Sequence, residues 1–163
     1  MASPDLMTSL GAALSIFLCS AGSVVGSIQA GLFALRTGGG WKAFIPIVQA
    51  GVLAIYGIII AVLLCGQTDI KEEGGYRNFA AGLSVGSACL ASGWAMAKFL
   101  ELHMMAVPRP ARSSGSQEVP LLDDALISYQ VPPISPSLIM VMIFLESIGL
   151  YGLIVALILQ GGH

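Results

Sequence analysis

Four apolar runs, each long enough to cross a bilayer, take up most of this chain of 163 residues: roughly 6 to 35, 44 to 65, 79 to 97 and 134 to 160. A transmembrane helix needs about 20 such residues. The composition agrees: 56% of the chain is hydrophobic and 10% charged, where a soluble domain averages about a quarter charged. A globular core of this size has no use for so much apolar surface. The expected fold is an all-α membrane protein of four helices, with almost nothing outside the bilayer. The first run has no basic residue before it, carries only Asp5 as a charge and is too long for a signal-peptide core. It reads as a retained helix.

The connectors are "RTGGGWKA" (36 to 43), "GQTDIKEEGGYRN" (66 to 78) and a long segment from about 98 to 135 containing "VPRPARSSGSQEVPLLDD". The Pro, Ser, Gly and charge content of the last one predicts a solvated loop. Arg36, Lys42, Lys98, Arg109 and Arg112 fall in connectors one and three, against Lys71 and Arg77 in connector two. The positive-inside rule then places connectors one and three in the cytosol and both termini in the lumen or exterior.

The chain repeats itself. "AIYGIIIAVLL" (54 to 64) aligns with "GLYGLIVALIL" (149 to 159) at an offset of 95, with Tyr56/Tyr151, Gly57/Gly152, Ile59/Ile154, Ala61/Ala156 and Leu64/Leu159 identical. The odd-numbered helices align at an offset of 71: Gly11, Ser15, Gly22 and Gly26 fall on Gly82, Gly86, Gly93 and Ala97. This is a duplicated helical hairpin. The first copy spans 1–65, with helices at about 6–35 and 44–65. The second spans 79–163, with helices at about 79–105 and 134–160 and a cytosolic loop at about 106–133. A lumenal connector, 66–78, joins the copies.

Helix 1 carries Gly11, Ser15, Cys19, Gly22 and Gly26; helix 3 carries Gly82, Gly86, Cys89, Gly93 and Ala97. Spacings of three and four put each set on one face. Lipid supplies no hydrophobic drive between helices, so small residues that admit close backbone approach do the holding. Such long stripes point to a crowded assembly, like the inner wall of a ring. Cys19, Cys65 and Cys89 lie in or beside apolar runs without metal-ligand spacing and read as small packing residues. No metal site and no cofactor is expected. The net charge of −2 says nothing about nucleic acid, but no basic patch with interleaved aromatics exists, so nucleic acid is not an expected partner.

Helix 4 holds one charge, Glu146, at about half its depth. An ionised acid there costs at least ~2.5 kcal/mol, and intramembrane carboxyls are functional by default. A carboxyl can be carried neutral through lipid and can give up its proton on meeting water or a cation. That is what a membrane proton carrier needs. At the offset of 95, Glu146 falls on Gly51, so only one hairpin carries the acid. Ser147, Tyr151 and, from helix 2, Gln49 are the possible helpers. They do not make a continuous polar path, so a partner must supply it.

On "IPIVQAGVLAIYGIIIAVLL", "FAAGLSVGSACLASGWAMA" and "IFLESIGLYGLIVALIL" the chain resembles the proteolipid c subunits of V-type proton ATPases. The resemblance implies a membrane rotor ring with helices 1 and 3 inside and helices 2 and 4 outside. It implies that Glu146 is the proton-carrying carboxylate, which meets an arginine of the stator subunit a on each rotation. Other proteolipid copies, subunit a, the central stalk and membrane lipid are the implied partners, and a vacuolar, other acidic-organelle or plasma membrane the implied location. Gly51 stands where the c″ type carries its acid, which favours the c or c′ type. Val52 and Leu53 stand where sodium-carrying relatives place polar ligands, which favours protons. The chain departs from the family at "KFLELHMMAVPRP", whose Lys98, Glu101 and His103 read as a solvated helix end with snorkelling side chains.

Two other classes fit four apolar helices: a structural tetraspan protein and a self-contained, channel-like proteolipid. The first needs no midplane acid and often has disulfide-bonded loops; no loop cysteine pair exists here. The second predicts conductance without a partner. A sodium-carrying ring subunit is a further alternative. The phosphate-loop pattern G-x-x-x-x-G-K-[ST] is missing, so no ATP-hydrolysing site is expected in this chain.

Overall fold

Each apolar run folds as one long helix, since a helix satisfies its own backbone polar groups wherever water is excluded. The computed structural model describes residues 3–36, 41–67, 72–105 and 135–161. Within it are α1 (Pro4–Arg36), a short 3-10 turn (Trp41–Phe44), α2 (Ile45–Cys65), α3 (Glu72–Met105) and α4 (Pro136–Gly161). All four α-helices are long and apolar enough to cross a membrane.

Local chemistry sets several of the ends. Pro4, Pro46 and Pro136 stand in first turns, where a missing N–H is no loss. Ser135 caps α4: its Oγ accepts from the Leu138 amide at 3.3 Å. The start of α3 departs from expectation. The stretch 66–78 reads as connector, yet α3 already begins at Glu72. Acids in a first turn favour a helix, and the added turns are held from outside. Gly75 sits against Pro4, and Asn78 donates from Nδ2 to Thr8 Oγ1 at 3.2 Å and to Gln67 Oε1 at 2.7 Å. The expected cytosolic loop at 106–133 lies outside the described residues.

The helices alternate in direction, and α1 and α3 run parallel at the heart of the bundle. They keep one register along their length. Thr8 meets Asn78, Gly82 lies on the backbone of Gly11, Gly93 lies on that of Gly22, and Phe33 meets His103. The pairs lie 70 or 71 residues apart, so the offset of the repeat is also the register of the contact. Gly86 faces Leu14 and Leu18, and Gly26 faces Ala50 of α2. The expected packing glycines therefore all lie at helix–helix contacts.

Around that pair, α2 packs on α1 and α4 on α3, while α2 also meets α3 and α4. Among the described residues α1 and α4 do not touch. The outer surface is apolar: Phe17, Val48, Val62, Phe144 and Ile158 are each about two-thirds exposed. Side chains of that kind need lipid or another protein around them. Several polar bonds lie toward the ends of the helices. Besides the Asn78 set, Arg77 donates to Leu159 O at 2.8 Å, tying the start of α3 to the end of α4. Lys98 and Glu101 form an exposed ion pair at 2.8 Å, as a solvated helix end should. His103 differs from that expectation. It sits half-buried between the rings of Phe33 and Phe99, with a buried Nε2. The end of α1 covers it, which the sequence of α3 cannot reveal.

Candidate functional site around Glu146

Ten residues of α4 precede Glu146 and fifteen follow it, and it is the only charged side chain of that helix. Neither α2 nor α4 contains a basic residue. The carboxyl is half-buried where α4 faces α2. Tyr56 of α2 is its polar neighbour, close enough for the phenol and the carboxyl to interact.

Two glycines bring α4 in close enough for this pairing. A methyl group at Gly149 would lie 2.7 Å from Leu53 Cδ2, 3.5 Å from Cys89 Sγ and 3.7 Å from Tyr56 Cδ2. One at Gly152 would fall on the Ala88 methyl, 3.2 Å from Ser84 O. Leu53 is fully buried, and so are Cys19 and Cys89, which behave as small apolar fillers. Cys65 is exposed at the end of α2. One turn back from Gly149, Ser92 of α3 donates from Oγ to Leu145 O at 2.5 Å. The acid thus stands on a turn of α4 clasped between a phenol of α2 and a hydroxyl of α3.

The helpers named from sequence fall elsewhere. Tyr151 is 64% exposed on the outer surface. Ser147 turns its hydroxyl back to Ile143 O of its own helix at 3.0 Å. Gln49 has a buried Oε1 with no hydrogen-bond partner among the described residues. In the sequence, Tyr56 is legible only as the repeat mate of Tyr151, and Ser92 is one more small residue in a stripe of them. Among the described residues no group of three or more His, Cys, Asp or Glu side chains could hold a metal ion.

Chemically, this arrangement can hold and release a proton at one carboxyl set in an apolar wall. Among the described residues around it there is no nucleophile with a base beside it and no cluster of charges.

No family model matches the chain. Among characterised proteins it is similar to V-type proton ATPase subunit c′ of Eremothecium gossypii, with 32% identity over 92% of this chain and 84% of the relative. Subunit c′ of Saccharomyces cerevisiae is 31% identical over 92% of this chain and 84% of its own length. The human V-type proton ATPase 16 kDa proteolipid subunit c is 31% identical over 93% of this chain and 88% of its own.

Proposed function

Because the chain belongs to the family of V-type proton ATPase c and c′ proteolipids, an integral multi-pass membrane subunit and not a catalytic one, we propose that Glu146 is its proton carrier. One observation carries this reading: a single, half-buried carboxyl at mid-helix, on a helix that lies outside the α1–α3 pair. Copies of the chain form the rotor ring, with α1 and α3 toward the centre and α2 and α4 toward lipid.

While α4 faces lipid, the carboxyl is neutral and holds its proton, since an ion there would cost at least ~2.5 kcal/mol. At the stator subunit a, a cation and a water path make the ionised form accessible, and the proton leaves on one side. A proton from the other side restores the neutral acid before the next passage through lipid. Tyr56 steadies the carboxyl between the two states. ATP hydrolysis elsewhere in the complex turns the ring through the central stalk. Protons fit better than sodium. A bare sodium ion needs several oxygens, and Val52 and Leu53 supply none from their side chains, Leu53 being packed against Gly149. The basic residues of connectors one and three favour a cytosolic side for these, with the termini in the lumen of an acidic organelle or outside the cell.

Glu146→Gln tests the proposal. Glutamine keeps the shape and loses the titratable proton. In vesicles where the complex still assembles, ATP-driven acidification is expected to vanish. Pumping at the normal rate would overturn the carrier role.

A further inference from the structure

Ser92 is fully buried at the centre of α3. Serines inside helices commonly bond back to a carbonyl of their own helix. Ser87 does so to Ser84 O and Ser147 to Ile143 O. Ser92 instead crosses to α4 and donates to Leu145 O, the carbonyl directly before Glu146. We propose that Ser92 is a positioning residue for Glu146: its hydroxyl pins the turn of α4 that carries the acid and sets the direction in which the carboxyl points. The inference deepens the reading of Glu146 as the proton carrier and rests on it.

The rest of the α3–α4 seam explains why a pin is needed. Beyond Leu145, α4 lies on α3 through Gly149 and Gly152, with buried Ala156 one turn on. These small residues set how closely the two helices approach, while the direction of the acid-bearing turn depends on finer contacts. A hydrogen bond is directional. If α4 turned, Leu145 O would leave Ser92 as Glu146 left Tyr56, because the two residues are adjacent on one turn.

The internal repeat supplies an independent argument. At the offset of 71, Ser92 falls on Ala21; at the offset of 95, Leu145 falls on Ala50 and Glu146 on Gly51. The first hairpin has neither acid nor hydroxyl at these places. The second has both; the cross-helix serine of the first hairpin, Ser15, lies at a different place in the repeat and donates to Gly57 O as well as to Ala12 O of its own helix.

The test uses the assembled complex in native membranes, with Ser92→Ala and Ser92→Thr. The readout is the rate at which a hydrophobic carbodiimide modifies Glu146, followed by peptide mass spectrometry and normalised to assembled complex. A hydrogen bond between membrane helices corresponds to a population change of about threefold. In Ser92→Ala the freed carboxyl turns toward lipid, where the reagent dissolves, and its modification is expected to quicken by about threefold. Protons moved per ATP hydrolysed should fall with it. Ser92→Thr keeps the hydroxyl and should track the unaltered chain. An unchanged rate in Ser92→Ala overturns the proposal, and so does loss of complex with an unchanged rate per complex, the mark of a merely structural serine. Ser92→Thr behaving like Ser92→Ala overturns it too. Glu146→Gln in the same membranes separates the two ideas. If that variant pumps, the carrier reading has failed; if it is silent while Ser92→Ala changes nothing, only the positioning role has.

Discussion

Gly93 rests directly on the backbone of Gly22: a methyl group at Gly93 would fall on the Gly22 carbonyl, and one at Gly22 on that of Cys89. Neither obstacle is a flexible side chain that could swing aside. Gly93→Ala must therefore push α1 and α3 apart, at a cost of about 1–3 kcal/mol. Gly51→Ala is the control, since a methyl group there meets nothing within 4 Å. Thermal unfolding of the purified chain in detergent should show a clear loss for the first and almost none for the second. Equal stability would mean that the α1–α3 seam is looser than described.

How far the sequence announces this architecture depends on the element. The four spans are legible because apolar runs leave a chain few choices. The stripes of small residues are legible because three- and four-residue spacing defines a helix face. The first turns of α3 are not. Glu72, Glu73, Gly74 and Gly75 read as loop, and what holds them helical is Pro4, Thr8 and Gln67, contributed by other segments. Glu146 announces itself as a charge among apolar residues. Its neighbour does not, because periodicity within α4 says nothing about which face of α2 comes to meet it. Tyr151, five residues on, is near in sequence and faces outward. Tyr56, ninety residues earlier in the chain, faces the acid.

The two tyrosines, alike in the repeat, should therefore differ in function. Tyr56→Phe removes the hydroxyl that approaches Glu146 and leaves the ring packed beside Gly149. An interaction between two neutral polar groups contributes about 0.5–1.5 kcal/mol, so ATP-driven proton pumping is expected to fall by about two- to tenfold. Tyr151→Phe should pump almost normally. Pumping assays on complexes of matched assembly decide it, and a greater defect in Tyr151→Phe would contradict the pairing.

Lys98 and Glu101 illustrate a contact that is conspicuous and contributes little. Their side chains are 55% and 31% exposed, one turn apart on α3. Water screens such pairs, and ordering two long side chains offsets part of the attraction. A double-mutant cycle with Lys98→Ala and Glu101→Ala should give a coupling of about 0.5 kcal/mol or less. A coupling several times larger would show that this helix end is shielded from water.

Asn78 is the opposite case, almost fully buried with both protons of its amide committed. One goes to Thr8 Oγ1, which in turn donates to Pro4 O at 3.0 Å; the other goes to Gln67 Oε1. Three segments, the start of α1, the end of α2 and the start of α3, are thus joined through a single nitrogen. Asn78→Ala leaves two acceptors without their donor, and each buried unsatisfied group costs about 1–3 kcal/mol. Asn78→Asp should be worse despite its closer shape. An ionised carboxylate there has no proton to give and would turn acceptor against acceptor at both contacts. The order of thermal stability in detergent should therefore be the native chain, then Asn78→Ala, then Asn78→Asp, with the first turns of α3 gaining amide hydrogen exchange before the rest of the bundle. If Asn78→Asp instead matches the native chain, the amide is not the donor that holds these turns in place.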